Sequence, residues 1–203
     1  MEIHYDNFVT REDIQTLAAA GVTHVRVPVG YWIMGDIQGE EPWVTGGFEY
    51  FKRLVGWCRE VGLQVWPDLH AAPGSQNGFD NSGKAGPLTC SGWVYFPSNV
   101  NRTVKVIDEF TTAIRDEGMA DVVTGMGLLN EPFLDCDVNV ITKYYDNCFE
   151  IVRTNLGEEA AVYIGDMFND ARWENENRIW HDAEHANTYM DVHIYHGAFL
   201  ICL

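Results

Sequence analysis

Apolar positions along this chain switch repeatedly between a period near 3.6 and short continuous runs. Thr10 stands where a helix N-cap belongs, with Asp13 three positions on and Val9 placed to staple onto Ile14. Ile14, Leu17 and Ala18 share one face, and Gly21 stops the helix. The apolar run 22–32 follows as a buried strand entering a loop. The order then repeats: Phe51, Leu54, Val55 and Cys58 form a helical face, Gly62 ends it, and 63–69 is the next strand. Val104, Ile107, Phe110 and Ile114 mark another helix, with Gly118 behind it and a strand within 121–129. The strongest helical stripe is Ile141, Tyr144, Tyr145, Cys148, Ile151 and Val152, ended by Gly157 and followed by a short strand at 161–165. A less periodic helix over 173–180 leads to a last apolar run at 189–195.

Strands alternating with helices imply parallel strands joined by right-handed crossovers. The strand runs are continuous, as expected where both faces are covered. The pattern predicts parallel strands near 24–30, 63–69, 122–129, 161–165 and 189–195. Polar residues gather where these runs end: Asp68 and His70, Asn130 and Glu131, Asp166, then His193 and Tyr195 within the fifth. Such a polar edge marks the active face of a (β/α)8 barrel, and a doubly wound sheet binds ligands at the same edge. No glycine-rich nucleotide fingerprint is present.

Composition narrows the possibilities. The 203 residues make about one domain, and 13% aromatic content argues against disorder. Thirteen basic and 30 acidic residues leave a net charge of −17, which repels phosphate backbones and anionic lipid. No run approaches the ~20 apolar residues of a membrane span, and residues 1–6 carry no signal-peptide pattern. Five cysteines without a C-x-x-C spacing argue against a disulfide scaffold, a zinc ribbon or a thioredoxin-like site. Cys90 and Cys136 both fall in loops, and spacing leaves their pairing open. A single Asn-X-Thr triplet, Asn101-Arg102-Thr103, is compatible with secretion.

Leu128-Leu129-Asn130-Glu131-Pro132 carries the most chemical information. A glutamate at the end of an apolar strand is partly desolvated, which raises its pKa and suits it to act as an acid. The adjacent Asn130 can bond a substrate hydroxyl. An Asx-type turn with Glu131 in solvent accounts for the same triplet. Further marks are Val25-Arg26-Val27-Pro28-Val29-Gly30-Tyr31-Trp32, the loop Pro73-Gly74-Ser75-Gln76-Asn77-Gly78-Phe79-Asp80-Asn81-Ser82-Gly83, and His193-Ile194-Tyr195.

Taken in order, these segments resemble the exo-1,3-β-glucanase (glucan 1,3-β-glucosidase) branch of glycoside hydrolase family 5, from about Phe8 to Tyr195. The resemblance implies a (β/α)8 TIM barrel in one domain over 1–203, about five of the eight βα units, and retaining hydrolysis of β-1,3-glucan by two carboxylates without a cofactor. Glu131 matches the acid/base, Asn130 the residue that holds the 2-hydroxyl, and Arg26 a strand arginine that supports the nucleophile. His70, His193 and Tyr195 match substrate and supporting positions, and Phe79 and Asn81 the sugar-binding loop. Each has a plainer alternative: a strand-end cap for Arg26, core histidines for His70 and His193, loop packing for Phe79. Trp43, Trp93, Tyr95 and Phe96 are equally sugar platforms or packing. By the same resemblance the setting is extracellular or the cell surface, and a completed enzyme is expected to be a monomer.

Departures from the family pattern set further expectations. The first barrel strand and the last two βα units are missing, and with them the nucleophile. Asp166 and Asp191 do not replace it convincingly, Asp191 falling near the start of its strand. Arg26 is then expected to lack a carboxylate partner, and the chain to be poorly stable, with open strand edges and little or no activity. Pro67 removes a ladder donor inside its strand, and Ala71 stands where glycine is usual. Two readings compete: a non-catalytic glucan-binding relative, and a zinc peptidase through His181, Glu184 and His185 in an H-x-x-E-H pattern that still needs a third ligand.

Overall fold

The capping box at Thr10 forms. Its side chain accepts from the Asp13 amide, Asp13 accepts in return from the Thr10 amide, and the helix α2 runs over Arg11–Ala19. A short helix that the apolar pattern did not announce, α1 (Glu2–Asn7), precedes it. A computed structural model describes residues 2–169, 173 and 185–195. It continues through β1 (His24–Gly30), α3 (Gly47–Val61), β2 (Gln64–Ala71), α4 (Ser91–Val94), α5 (Pro97–Asp116), β3 (Gly125–Gly127), α6 (Val138–Leu156), β4 (Ala161–Gly165) and β5 (Thr188–Asp191). Gly62 ends α3 in the left-handed region, at φ +77°, as its place after the helical stripe requires.

The five strands form one sheet in the order β1-β2-β3-β4-β5, and every neighbouring pair is parallel. Strand order that follows chain order, with the helices between, is singly wound. A doubly wound sheet would reverse at a switch point. The architecture is an incomplete (β/α)8 barrel. One sheet face carries Val29, Val65, Leu69, Met126, Val162 and Ile164 into a core shared with Phe51 and Val55 of α3, Ile107 and Phe110 of α5, and Tyr145 and Cys148 of α6. On the other face the rings of His24, Trp66, Tyr163 and Tyr189 run in a row, with centroids 4.4, 4.6 and 5.6 Å apart.

β3 makes that interior possible. A Cβ on Gly127 would stand 3.0 Å from Asp68 Oδ1, and one on Gly125 3.2 Å from Trp66 Cδ1. By presenting no side chain to this face, β3 leaves room for the ring below and the carboxylate above. The cost is a short ladder: the expected strand over 122–129 pairs only at Gly125–Gly127, with an isolated bridge from Val65 to Val123. β5 likewise ends at Asp191, so His193 and Tyr195 follow the strand instead of lying in it. Pro67 does not break β2, which keeps register with β1 through the pair Val27 and Pro67. The helix expected over 173–180 lies outside the described residues except for Trp173, which is buried and donates Nε1 to the Asp166 carbonyl at 2.8 Å.

Cys90 and Cys136 are joined, settling a pairing that spacing left open. The bridge ties the loop after β2 to the loop after β3 across 46 positions of sequence, and Asp135 reinforces it by accepting from the Cys90 amide at 2.7 Å. Replacing both cysteines by serine is expected to lower unfolding free energy by about 2–4 kcal/mol. Denaturant titration of the oxidised and double-serine proteins measures the difference.

Candidate active site

Three strands and the segments that follow β3 and β5 bring polar and charged groups together on one side of the sheet. β1 contributes Arg26, β2 contributes Asp68 and His70, the turn after β3 contributes Asn130 and Glu131, and β5 ends in Asp191. Beyond it the period of two carries His193 and Tyr195 to the same side. His70 Nδ1 lies 2.7 Å from Asp68 Oδ2. Arg26 Nη2 pairs with Asp68 at 3.0 Å and Asp191 at 3.5 Å, and donates to Asn130 Oδ1 at 2.8 Å. His193 bridges the two remaining acids, with Nε2 3.1 Å from Asp191 and Nδ1 2.7 Å from Glu131. Tyr195 donates its hydroxyl to the same Glu131 oxygen, and Asn81 donates to the other at 3.0 Å.

The loop after β2 holds this glutamate by its backbone. Gln76 Nε2 donates to the carbonyls of His70 and Asn130, and Asn77 Nδ2 donates to the carbonyl of Glu131 at 3.0 Å. These amides brace Glu131 in a left-handed conformation, φ +45°, that a residue with a side chain rarely adopts. The loop is folded tightly enough that a Cβ on Gly78 would meet the Pro87 carbonyl oxygen at 1.9 Å. Asn130 is 2% exposed, and its Nδ2 has no hydrogen-bond partner among the described residues. An unpaired buried donor of this kind costs about 1–3 kcal/mol until a ligand atom satisfies it.

Glu131 does not carry the raised pKa that its strand-end position predicts. Burial is the largest single influence and does push the pKa upward. The bonds from His193, Tyr195 and Asn81 together outweigh it, and the pKa settles at about 2. His193 is driven the other way, up to about 10, first by Asp191 and then by Glu131. Both ring nitrogens face carboxylates, so the ring is an imidazolium. Burial was legible in the sequence; three donors converging from separate segments were not.

Asp191 and the fate of Arg26 correct the sequence reading. Asp191 ends β5, and its carboxylate is held by His193 and Arg26. Arg26 therefore has two acidic partners. Gln76 and Asn77 were not singled out individually; their position in the loop after β2 was the available signal. Phe79 is half-buried, edge-on to Phe133 at 6.0 Å and to Phe168 at 6.3 Å. Trp93 is fully buried and donates to Thr103, so it is packing and not a platform. Trp43 stacks on Trp32 at 4.1 Å, while Tyr95 and Phe96 are exposed. His181 and Glu184 lie outside the described residues, and His185 packs against Phe149. Among the described residues no cluster could hold a metal ion, and no helix is long and apolar enough to cross a membrane.

The carboxyl edge of a barrel sheet, where this carboxylate is held, is where the fold carries its active sites. Residues 1–199 match the family model Cellulase (glycosyl hydrolase family 5), and the chain belongs to that family. It is 37% identical over 199 residues to the glucan 1,3-beta-glucosidase of Pichia angusta, covering 96% of this chain and 44% of that protein. Against the glucan 1,3-beta-glucosidase of Blumeria graminis it is 39% identical, covering 95% of this chain and 43% of that protein. The chain thus spans less than half the length of these curated relatives. Among solved structures, the rutinosidase from Aspergillus niger aligns with a TM-score of 0.79 at 21% identity, over 94% of this chain and 55% of that one. The endoglucanase Cel5A from Thermotoga maritima aligns at 0.62 and 16% identity, over 92% and 53%. At such identity these likenesses speak for the fold.

The bridge through His193 has a measurable signature. The stabilisation it contributes through His193 is full below that group's ordinary value of 6.5 and lost as pH rises through about 10. Through Glu131 it is full above the ordinary 4.5 and lost as pH falls through about 2. The expected outcome is an imidazole that stays protonated at pH 8 by nuclear magnetic resonance titration. Asp191→Asn should bring its midpoint down toward 6.5.

Proposed function

We propose that this chain is the acid/base half of a retaining β-1,3-glucan hydrolase. The observation that carries the reading is Glu131: both its oxygens are held at the carboxyl edge of the sheet, beside the unpartnered Nδ2 of Asn130. The substrate class follows from relatives named glucan 1,3-beta-glucosidase. In this reading Asn130 donates Nδ2 to the 2-hydroxyl of the reacting sugar, while Arg26 Nη2 donates to Asn130 Oδ1 and fixes the amide. His70, through Asp68, keeps Arg26 in register, and Phe79 and Asn81 border the sugar at the mouth.

Retaining hydrolysis needs a second carboxylate about 5–5.5 Å from the first. Asp191 does not fill that role, because the His193 ring stands between it and Glu131. The nucleophile in this proposal comes from sequence outside the 203 residues. That carboxylate also supplies the missing half of the acid's pKa logic. Alone, Glu131 is ionised at neutral pH, the state that activates water in the second step. A negative charge facing it raises its pKa by like-charge repulsion, toward the protonated state the first step uses. Once the nucleophile is glycosylated that charge is gone, and Glu131 again serves as base. The Cys90–Cys136 bridge supports an oxidising, extracellular setting.

The test is Glu131→Gln in a protein that extends this chain with the remaining βα units of its family. Turnover of laminarin-type β-1,3-glucan should fall by about 10²-fold or more. Aryl glycosides with good leaving groups should lose less in the glycosylation step, because they need little protonation. Near-normal cleavage of the glucan by Glu131→Gln would remove Glu131 from the acid/base role.

A further inference from the structure

Arg102 and Thr103 of the triplet Asn101-Arg102-Thr103 are both put to use by the fold. Arg102 is buried against Asp36 and Glu41, at 2.6 and 2.8 Å. Thr103 donates to the Asn99 carbonyl at 2.7 Å and accepts from Trp93 Nε1 at 2.9 Å. Asn101 is different. It is exposed on α5, and its side chain makes no hydrogen bond among the described residues. It stands in the wall of a groove of about 420 Å³ between α5 and α6, a size in the range that small-molecule sites occupy. Half-buried Val100, Val104 and Val140 form an apolar floor, and exposed Asn139 and Lys143 a polar rim. Asp137 caps α6 beside the same groove, next to the bridged Cys136.

We propose that Asn101 is an N-glycosylation site and that the first N-acetylglucosamine of its glycan seats in this α5–α6 groove. A disulfide such as the one beside this groove persists in oxidising compartments, where Asn-X-Thr triplets meet the glycosylation machinery. The donor is a lipid-linked oligosaccharide pyrophosphate. Asn101 Nδ2 forms a bond to C1 of the first sugar while the C1–O bond to pyrophosphate breaks. The lipid pyrophosphate leaves with the electron pair, and the amide proton passes to a base of the transferase. Once attached, the sugar's apolar face and acetamide methyl cover the three valines, while its hydroxyls meet Asn139 and Lys143. This covers apolar surface that the helices leave open, without touching the edge where Glu131 lies.

The experiment expresses the whole chain behind a cleavable secretion leader in a yeast host, and analyses both secreted and retained protein. After endoglycosidase H trimming, the peptide containing Asn101 should carry one extra N-acetylhexosamine by mass spectrometry, absent in Asn101→Gln. The trimmed protein should melt about 2–4 °C above Asn101→Gln, the shift expected for ~1 kcal/mol at this chain length. Val140→Ser, which leaves the triplet intact, should stay modified and lose that difference. An unmodified Asn101 in both fractions overturns the site. A modified Asn101 with no difference in melting overturns the seating in the groove.

Discussion

The alternation of basic side chains and carboxylates at the carboxyl edge of the sheet is the constraint on which the site depends. His70, Asp68, Arg26, Asp191, His193 and Glu131 follow one another in space, each within ion-pair distance of the next. Asp68 is 2% exposed and Glu131 7%, while Arg26 and Asp191 are partly open to solvent. Removing the partner of either buried carboxylate leaves that charge uncompensated, and that costs more than the pair contributes. Parallel strands in chain order are what assemble the series, because β1, β2 and β5 and the segments after β3 and β5 bring their polar residues to the same side of the sheet. Glycines on β3 clear the interior for Asp68, and the apolar core behind the sheet holds the strands in register.

A second constraint acts on the backbone. Glu131 adopts a conformation that costs free energy, and the side-chain amides of Gln76 and Asn77 satisfy the carbonyls on either side of its peptide unit. The disulfide then joins the loop that supplies those amides to the loop that follows Glu131. Strain at a reacting group persists only where its surroundings over-determine it. Here two loops, one bridge and a packed Pro132 against Gly165 do so. A carboxylate placed this firmly needs little reorganisation.

The low pKa of Glu131 fits this picture. Three donors, one of them the His193 imidazolium, hold Glu131 ionised, and another negative charge entering its field would raise its pKa. In the proposed reading, the proton affinity needed for the first chemical step belongs to Glu131 together with a second carboxylate, and not to Glu131 alone.

Local physics was legible in the sequence. The 3.6 and strand periodicities placed α2, α3, α5, α6 and the five strands, and the Thr10 capping box read directly from spacing. Those features depend on neighbours within a few residues. Polar residues at the ends of apolar runs marked the rim of the site for the same reason. Strand order separates a barrel from a doubly wound sheet, and only the tertiary structure decided it, since both orders share one local grammar. The partners of Arg26, the position of Asp191 at the end of β5, the Cys90–Cys136 bridge and the downward pKa of Glu131 also waited for the fold. Each of these is a balance between burial and groups that lie far away in sequence. A one-dimensional pattern records that a residue is apolar or charged, and the distances that decide which influence wins exist only once the chain has closed on itself.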